Sequence, residues 1–146
     1  MTLKRGWKGT SNLTWGEIVT RVEILSNRIK KTGFEFDRIA TISRGGLVPA
    51  RLIADYFGIK KIIVDPKKIP KKTLFVDDIY DSGDTFKKII PLVQTPSKFL
   101  YATIVARKGV KYPSQLVYAK KTIGKEYVVF PWDRLEFERT RKPAKD

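Results

Sequence analysis

The sequence predicts an α/β fold in which a mostly parallel β-sheet carries helices on both faces. Short apolar runs rich in β-branched residues alternate with segments of helical periodicity along most of the chain, and this alternation is typical of parallel sheets covered by helices. The 146 residues are 42% hydrophobic, which suits one compact domain with a sizeable core. Because no repeat, low-complexity stretch or long linker divides the chain, we expect a single domain over residues 1–146.

The first helix has clear signals at both of its ends. Thr14 and Glu17 have the spacing of a capping box, in which each side chain satisfies a free backbone N–H of the first turn. Apolar residues then recur at helical spacing up to Gly33, which predicts a helix over residues 15–31. The same criteria predict helices over 47–57 and 85–90, and strands over 38–42, 62–64, 73–76, 99–106, 116–118 and 127–130. Residues 1–13 and 134–146 are predicted to be irregular.

The composition excludes several classes of function. The chain contains no cysteine and no histidine, so it forms no disulfide, offers no Cys or His ligand to zinc and has no nucleophile–histidine triad. Any general base must therefore be a carboxylate, a lysine, a tyrosine or the substrate itself. No apolar run is long enough to span a bilayer and the first ten residues lack a signal peptide's apolar core, so we expect a cytoplasmic protein with no membrane partner.

The charge balance is strongly basic. Thirty Lys and Arg against 15 Asp and Glu leave a net charge of +15. Such an excess favours anionic partners, either phosphorylated metabolites or nucleic acid. A high-temperature or lysine-rich proteome is another explanation of the same charge.

Residues 74–85 contain the densest cluster of acidic side chains. Four of the 15 carboxylates, Asp77, Asp78, Asp81 and Asp84, lie close together just after an apolar strand. Adjacent carboxylates at a strand end are costly unless they meet a cation or hydroxyl groups, and their oxygens suit Mg²⁺. Free N–H groups at the start of the following helix can hold a phosphate. The segment is therefore typical of a site for a phosphorylated sugar, although single aspartates at such a junction also serve as turn formers and N-caps.

This segment resembles the signature of the type I phosphoribosyltransferases. In that family an apolar strand leads into two acids, a few residues, a third acid and a Thr/Ser-Gly-x-Thr loop, and residues 75–85 match this signature position by position. The resemblance implies the family's Rossmann-like α/β fold, here with a reduced hood. It also implies transfer of a phosphoribosyl group from phosphoribosyl pyrophosphate to a base, with Mg²⁺ as the cofactor.

A glycine turn after the first predicted strand resembles a second family segment. Ser43, Arg44, Gly45 and Gly46 follow the strand directly and are similar to the pyrophosphate-binding loop of the xanthine-guanine, or 6-oxopurine, branch. The resemblance implies that this loop binds pyrophosphate. It also implies a non-proline cis peptide bond between Arg44 and Gly45.

The segment before Pro-Trp-Asp resembles the purine pocket of the same branch. The resemblance implies that the ring of Tyr127 stacks on the base and that the backbone of Val128 contacts the exocyclic groups of the base. Arg107 aligns with a family lysine that donates to the 6-oxo oxygen of the purine, and Lys108 takes that role if the turn shifts by one residue. Considered without the resemblance, residues 127–130 are more typical of an edge strand ended by proline, and Arg107 with Lys108 is typical of a solvated basic pair.

The resemblance also assigns roles within the acidic segment. Asp77 and Asp78 would bind the ribose hydroxyls, and both are candidate Mg²⁺ ligands, Asp78 the better one. Asp81 would face N7 of the base and act as general base. The residues that would cradle the 5-phosphate are Asp81, Ser82, Gly83, Asp84 and Thr85. The family's habit implies a dimer or tetramer.

The chain departs from the family between the second and third predicted strands. Family members carry a long flexible segment there that closes over the active site, whereas this chain has only the eight residues 65–72, with two prolines. Lid closure excludes water, so its absence implies slow turnover, closure by the N-terminal segment or a second subunit, or no catalysis. The lysines in this segment are either static positive charge near the phosphates or a solvated turn.

Two other functions remain open on the sequence. The first is a weakly catalytic or non-catalytic regulator that binds phosphoribosyl pyrophosphate or nucleotides and contacts nucleic acid through its basic surface, although no recognised nucleic-acid motif accompanies the charge. The second is a different base specificity, for a pyrimidine or for xanthine in place of guanine or hypoxanthine.

Overall fold

Five parallel strands form the central sheet of the computed structural model, which describes residues 8–141. The strands are β2 (Arg38–Thr41), β3 (Ile62–Val64), β4 (Thr73–Tyr80), β5 (Leu100–Ala106) and β6 (Leu116–Lys121). Their spatial order is β3-β2-β4-β5-β6, and every neighbouring pair is parallel. This arrangement confirms the predicted α/β class.

Helices cover both faces of this sheet. Helices α1 (Trp15–Thr32) and α2 (Leu47–Phe57) pack with Leu74 and Val76 of β4 in one apolar core. Helix α3 (Asp84–Ile89) packs with Phe75 in a second core on the opposite face, because successive side chains of a strand point to opposite sides. Buried aromatic rings dominate this second core, which includes Phe99 and Tyr101.

The predicted capping box starts helix α1. The hydroxyl of Thr14 accepts a hydrogen bond from the backbone N–H of Glu17 at 3.1 Å, and the carboxylate of Glu17 accepts one from the N–H of Thr14 at 2.9 Å. The helix ends at Gly33, whose φ of 73° lies in the left-handed region that glycine tolerates best. The bounds predicted from the sequence are confirmed to within one residue.

The two segments predicted to be irregular contain regular structure. Strand β1 (Thr10–Asn12) pairs in parallel with β7 (Tyr127–Val129) in a small separate sheet, and Arg134–Arg141 forms helix α4. The prediction fails at β1 because Thr-Ser-Asn has no apolar alternation, so its pairing partner alone makes it a strand. Residues 1–7 and 142–146 of the two predicted tails lie outside the described residues.

Strand β4 is longer than predicted. Its expected end at residue 76 is wrong, since pairing with β5 continues past Asp77, opposite Thr103, to Tyr80, opposite Ala106. Backbone pairing with β5 therefore extends β4 through polar residues that sequence patterns assign to a loop. Smaller shifts occur at β2, β5, β6, β7 and α3. The adjacent carboxylates of Asp77 and Asp78 consequently lie on the strand itself.

The short segment 65–72 is a connection packed against the body of the protein. Ile69 is only 1% exposed, and its backbone N–H and C=O bond to Leu92 and Gln94. This anchorage agrees with the prediction that the segment forms a turn and not a lid. Among the helices that the structure describes, none has the length and apolar character that crossing a bilayer requires.

The first turn of α2 fits tightly against the sheet, so we predict that Gly46→Ala destabilises the protein. An added methyl group would overlap the hydroxyl of Thr41 and lie 3.0 Å from the carbonyl oxygens of Ile42 and Val76. We expect the free energy of unfolding, measured in urea, to fall by roughly 1–3 kcal/mol.

The matched control for this substitution is Gly16→Ala. A methyl group there meets only the Thr14 hydroxyl at 3.8 Å within a helix, so we expect no loss and a gain of up to about 1 kcal/mol. Equal stability of the two variants would contradict the tight fit at Gly46.

Candidate functional site

Two loops meet where the parallel strands end and enclose a cleft of about 410 Å³. One loop joins β2 to α2 and the other joins β4 to α3, because neighbouring parallel strands bring their carboxyl ends to the same edge. The cleft thus brings together predicted residues from two distant parts of the sequence. Those predicted residues are Ser43, Gly45, Asp77, Asp78, Asp81, Ser82, Gly83, Asp84 and Thr85.

Asp77 forms the buried base of this cleft. Its two carboxylate oxygens accept hydrogen bonds from the backbone N–H of Asp78 at 2.8 Å and from the hydroxyl of Tyr101 at 3.1 Å. Burial raises the pKa of Asp77, and these hydrogen bonds oppose that rise. Burial of the phenol and then the charge of Asp77 raise the pKa of Tyr101, so this tyrosine remains a hydrogen-bond donor.

Asp78 is the more accessible member of the pair. Its carboxylate is half-buried and accepts a hydrogen bond from the N–H of Ile79 at 2.7 Å. Burial and then the neighbouring charge of Asp77 raise the pKa of Asp78 well above its ordinary value. A cation beside Asp78 would relieve both effects.

The β2–α2 loop passes close to the carboxylate of Asp78. A methyl group on Gly45 would lie 2.6 Å from Asp78 Oδ2, so only glycine lets the backbone approach this closely. The backbone N–H and the hydroxyl of Ser43 both donate to Asp65, which follows β3. The expected cis bond at Arg44–Gly45 is wrong by one residue, since the cis peptide joins Ser43 to Arg44; the motif marks the turn but not the bond.

The β4–α3 loop presents backbone groups to the same cleft. Gly83 has a φ of 92°, and a methyl group on it would lie 2.6 Å from the hydroxyl of Tyr80, so a side chain is excluded on two grounds. The backbone N–H of Asp84 donates to Ser82 Oγ at 3.3 Å. Lys88 of α3 also lines the cleft and adds positive charge.

Arg107 and Asp81 form an ion pair that the sequence did not predict. Nε of Arg107 donates to Asp81 Oδ1 at 2.9 Å, and Nη1 donates to the carbonyl oxygens of Gly124 and Glu126. The guanidinium is 8% exposed, and the carboxylate is 35% exposed. Nη2 makes no hydrogen bond within residues 8–141. Lys108, the alternative from the sequence, is exposed.

The predicted base-binding residues lie next to helix α4. Tyr127 is half-buried and stacks on Phe137, with ring centroids 5.3 Å apart and planes 22° apart, while Val128 is buried. Burial and then the charge of Asp133 raise the pKa of Tyr127. Arg44 forms an ion pair with Glu136 of α4.

Sequence reasoning missed four residues of this region: Tyr101, Asp133, Glu136 and Phe137. Asp133 was visible in the Pro-Trp-Asp motif, but nothing in the sequence indicated that burial, Asp78 and Glu136 raise its pKa to about 6. Tyr101 reads as an ordinary core residue of an apolar strand. Glu136 and Phe137 carry no signal, because they act only through the position of α4.

The carboxylate oxygens of the cleft suit a divalent ion that takes some of its ligands from the protein and others from a substrate. Within the described residues, no group of three or more acidic side chains converges as a metal cage. Both oxygens of Asp77 accept hydrogen bonds from internal donors, whereas Oδ2 of Asp78, a residue that lines the cleft, accepts none from residues 8–141. Mg²⁺ keeps waters and takes one or two carboxylates plus phosphate oxygens, so Asp78 fits such an ion.

A larger hollow at the opposite edge of the sheet lacks this chemistry. It measures about 900 Å³ and lies around residues 32–35, 71–72 and 94–100. Glu35 is the one acid among its lining residues, and no glycine loop with paired carboxylates borders it. The smaller cleft at the carboxyl ends is therefore the candidate site.

Comparison with known proteins finds similarity both in sequence and in fold. No family model matches the chain. A curated relative, the xanthine-guanine phosphoribosyltransferase of Gluconobacter oxydans, is 26% identical over 145 residues and covers 84% of each chain. Among solved structures, the purine phosphoribosyltransferase of Pyrococcus horikoshii superposes with a TM-score of 0.69 at 19% identity, covering 95% of this chain and 99% of the other.

A second solved structure has the same fold. The xanthine-guanine-hypoxanthine phosphoribosyltransferase of Helicobacter pylori superposes with a TM-score of 0.74 at 15% identity, covering 90% of this chain and 99% of that one. At identities of 19% and 15%, the solved structures show only a shared fold, whereas the curated relative shows a similarity in sequence. The chain therefore has the fold of the purine phosphoribosyltransferases and is similar in sequence to a xanthine-guanine phosphoribosyltransferase.

Proposed function

We propose that this protein is a purine phosphoribosyltransferase that moves the phosphoribosyl group of phosphoribosyl pyrophosphate to a 6-oxopurine such as guanine, xanthine or hypoxanthine. One observation carries the proposal: the cleft sets the carboxylates of the buried Asp77 and the half-buried Asp78 between the glycine turn at Gly45 and the loop before α3. Carboxylates for ribose hydroxyls and amides for two phosphate groups then lie within one cleft. The names of the curated relative and of the structural neighbours agree with this function.

The parts of the sugar phosphate are assigned to separate elements. The loop of Ser82, Gly83 and Thr85 takes the 5-phosphate at the start of α3, where glycine permits close backbone approach. Asp77 and Asp78 take the ribose hydroxyls, and the turn at residues 43–46 takes pyrophosphate. Asp84 also lines the cleft but is exposed, so solvent screens its charge and weakens its repulsion of the phosphate.

The reaction exchanges one bond at the sugar for another. N9 of the purine forms a bond to C1 of the ribose, and the bond from C1 to the pyrophosphate oxygen breaks with its electron pair. The N7 proton of the purine passes to the carboxylate of Asp81. Positive charge develops on the ribose ring, and the carboxylates of Asp77 and Asp78 favour it, so the protein acts by positioning and by a prearranged field.

Asp78, with Asp77 beside it, would hold Mg²⁺. When bound, Mg²⁺ neutralises negative charge on the pyrophosphate group. The chain's own contribution is the half-exposed carboxylate of Asp78, supported from behind by the N–H of Ile79.

Arg107 orients Asp81 in this proposal. Three of its hydrogen bonds join Asp81 to the carbonyl groups of Gly124 and Glu126 just before β7, so the general base and the wall of the base pocket are fixed to one guanidinium. Nη2 remains for the 6-oxo oxygen of the purine, with Lys108 as the alternative donor. The expected dimer or tetramer and the cytoplasmic location stay predictions.

A nucleic-acid-binding regulator is the second candidate. Its support is the exposure of the six lysines Lys60, Lys61, Lys67, Lys68, Lys71 and Lys72. The paired carboxylates between two glycine-containing loops favour the enzyme over this alternative, since a basic surface alone attracts many anions.

The proposed activity is tested by incubating the full chain with phosphoribosyl pyrophosphate, Mg²⁺ and, in turn, guanine, xanthine, hypoxanthine and uracil. We expect pyrophosphate and a nucleoside monophosphate from at least one purine and none from uracil, with loss of product in EDTA. No product from any purine, together with salt-dependent retention of RNA or DNA, would favour the regulator.

Asp81→Asn is expected to reduce transfer to background. The amide cannot accept the N7 proton and no longer neutralises Arg107. The control Asp55→Asn removes an aspartate from an exposed pair with Arg51 on α2 and should keep full activity. Circular dichroism verifies the fold, and a folded Asp81→Asn variant with wild-type turnover would refute the role of Asp81.

Asp133 contributes to the pH dependence of stability. Because burial and the charges of Asp78 and Glu136 raise its pKa from 3.8 to about 6, the ionised carboxylate is disfavoured in the folded state. The native protein therefore loses stability from this group as pH rises through that window. Because solvent screens this half-buried carboxylate, Asp133→Asn in EDTA should be only roughly 1 kcal/mol more stable than wild type at pH 7.5. At pH 4 the substitution should give no gain.

Asp37→Asn is the control with opposite sign. A hydrogen bond from Arg38 lowers the pKa of the exposed Asp37, so the substitution should give no gain that grows with pH. Urea unfolding at both pH values measures the difference, and a pH-independent effect of Asp133→Asn would contradict the raised pKa.

A further inference from the structure

Helix α4 lies against two of the proposed substrate positions. It follows a single helical turn, Pro131–Asp133, at the end of β7, and it is the last element of the described chain. Two neighbouring side chains contact predicted site residues: the exposed Glu136 pairs with Arg44, and the half-buried Phe137 stacks on Tyr127. Leu135 and Glu138 are exposed. The chain thereby places one carboxylate and one aromatic ring beside residues that the proposed function assigns to ligands.

Phe137 makes the contact that the proposed function assigns to the purine. Its ring lies on that of Tyr127 with a centroid distance of 5.3 Å and an interplanar angle of 22°. Offset stacking at this distance is the arrangement that aromatic pairs favour. A flat heteroaromatic base gains the same interaction, so base and Phe137 compete for the Tyr127 ring.

Glu136 makes the contact that the proposed function assigns to pyrophosphate. Its carboxylate pairs with the guanidinium of Arg44. Arg binds carboxylate and phosphate oxygens with the same planar set of donors. The side chains are 75% and 57% exposed, so this pair is weak, and a ligand with several anionic oxygens can replace Glu136.

The surroundings leave room for α4 to move. A cavity of about 490 Å³ lies behind the helix, between β1, the start of α1 and Phe137, and is lined in part by Thr10, Asn12 and Trp15. The helix has eight residues, too few to be stable on its own contacts in water. The contacts of Glu136 and Phe137 and the junction to Pro131–Asp133 contribute to its position.

We propose that α4 is a displaceable cap, in which Phe137 and Glu136 occupy the purine and pyrophosphate subsites of the free protein and leave when ligand binds. The proposal rests on the proposed function, because it takes the roles of Tyr127 and Arg44 from it. Glu136 and Phe137 then set the affinity for both substrates. The cap also covers the site in a chain whose segment 65–72 is anchored elsewhere.

The test measures binding to the full chain and to three variants. Phe137→Ala should tighten guanosine monophosphate about three- to tenfold, the worth of one aromatic stack. Since both contacts hold one helix, Phe137→Ala should also tighten inorganic pyrophosphate, although it changes no charge. Glu136→Gln should tighten pyrophosphate up to about fivefold. Isothermal titration calorimetry gives each dissociation constant.

Glu138→Gln is the matched control for charge. It removes the same charge from the same helix at an exposed position two residues after Glu136, and it should leave pyrophosphate binding unchanged. If it tightens pyrophosphate as much as Glu136→Gln does, and Phe137→Ala has no effect on that ligand, the cap is refuted in favour of a general electrostatic effect.

Hydrogen exchange supplies a readout independent of activity. Backbone amides of residues 134–141 should exchange faster when guanosine monophosphate and pyrophosphate are present, because the helix loses its contacts. Increased protection would overturn the proposal, since α4 would then close over the ligand. If the wild-type protein transfers phosphoribosyl groups but Phe137→Ala and Glu136→Gln bind both ligands as the wild type does, the cap alone is refuted. If the wild-type protein transfers none but Phe137→Ala binds more tightly, the proposed function alone is refuted.

Discussion

The adjacent carboxylates of Asp77 and Asp78 are the constraint on which the rest of the site depends. Two acids on a paired strand, one of them buried, repel each other and lose hydration. The protein compensates with donors: the hydroxyl of Tyr101 and two backbone N–H groups bind these oxygens. The compensation is incomplete, since burial still raises the pKa of both groups. A bound cation or sugar hydroxyls would complete it.

The surrounding loops are shaped by this pair. Gly45 approaches Asp78 so closely that a side chain would collide with the carboxylate, and Asp65 holds the same loop through Ser43. Burial and then the negative charge of Asp78 raise the pKa of Asp133. The site thus accumulates negative charge within a chain whose net charge is +15, which favours a cationic or cation-bound ligand at that spot.

The two arginines nearest this charge already have internal partners. Arg107 is bound to Asp81 and to backbone carbonyl groups, and Arg44 is paired with Glu136. The two pairs differ in kind. Arg107 is buried and makes three hydrogen bonds, one of them to the partly exposed Asp81, so the geometry of this pair is fixed. The Arg44 pair is exposed and weak, so it can exchange its carboxylate for a phosphate group.

The sequence by itself determined the alternation of strands and helices, the capping box of α1 and the segments that meet at the strand ends, because periodicity, capping and short motifs are local. It did not determine the length of β4, the strand at Thr10–Asn12 or the contacts of Phe137, because each depends on a partner distant in the sequence. Pairing with β5 carries β4 through Asp77, and pairing with β7 makes β1 a strand. The ion pair of Asp81 with Arg107 likewise exists only because parallel strands end at one edge of the sheet.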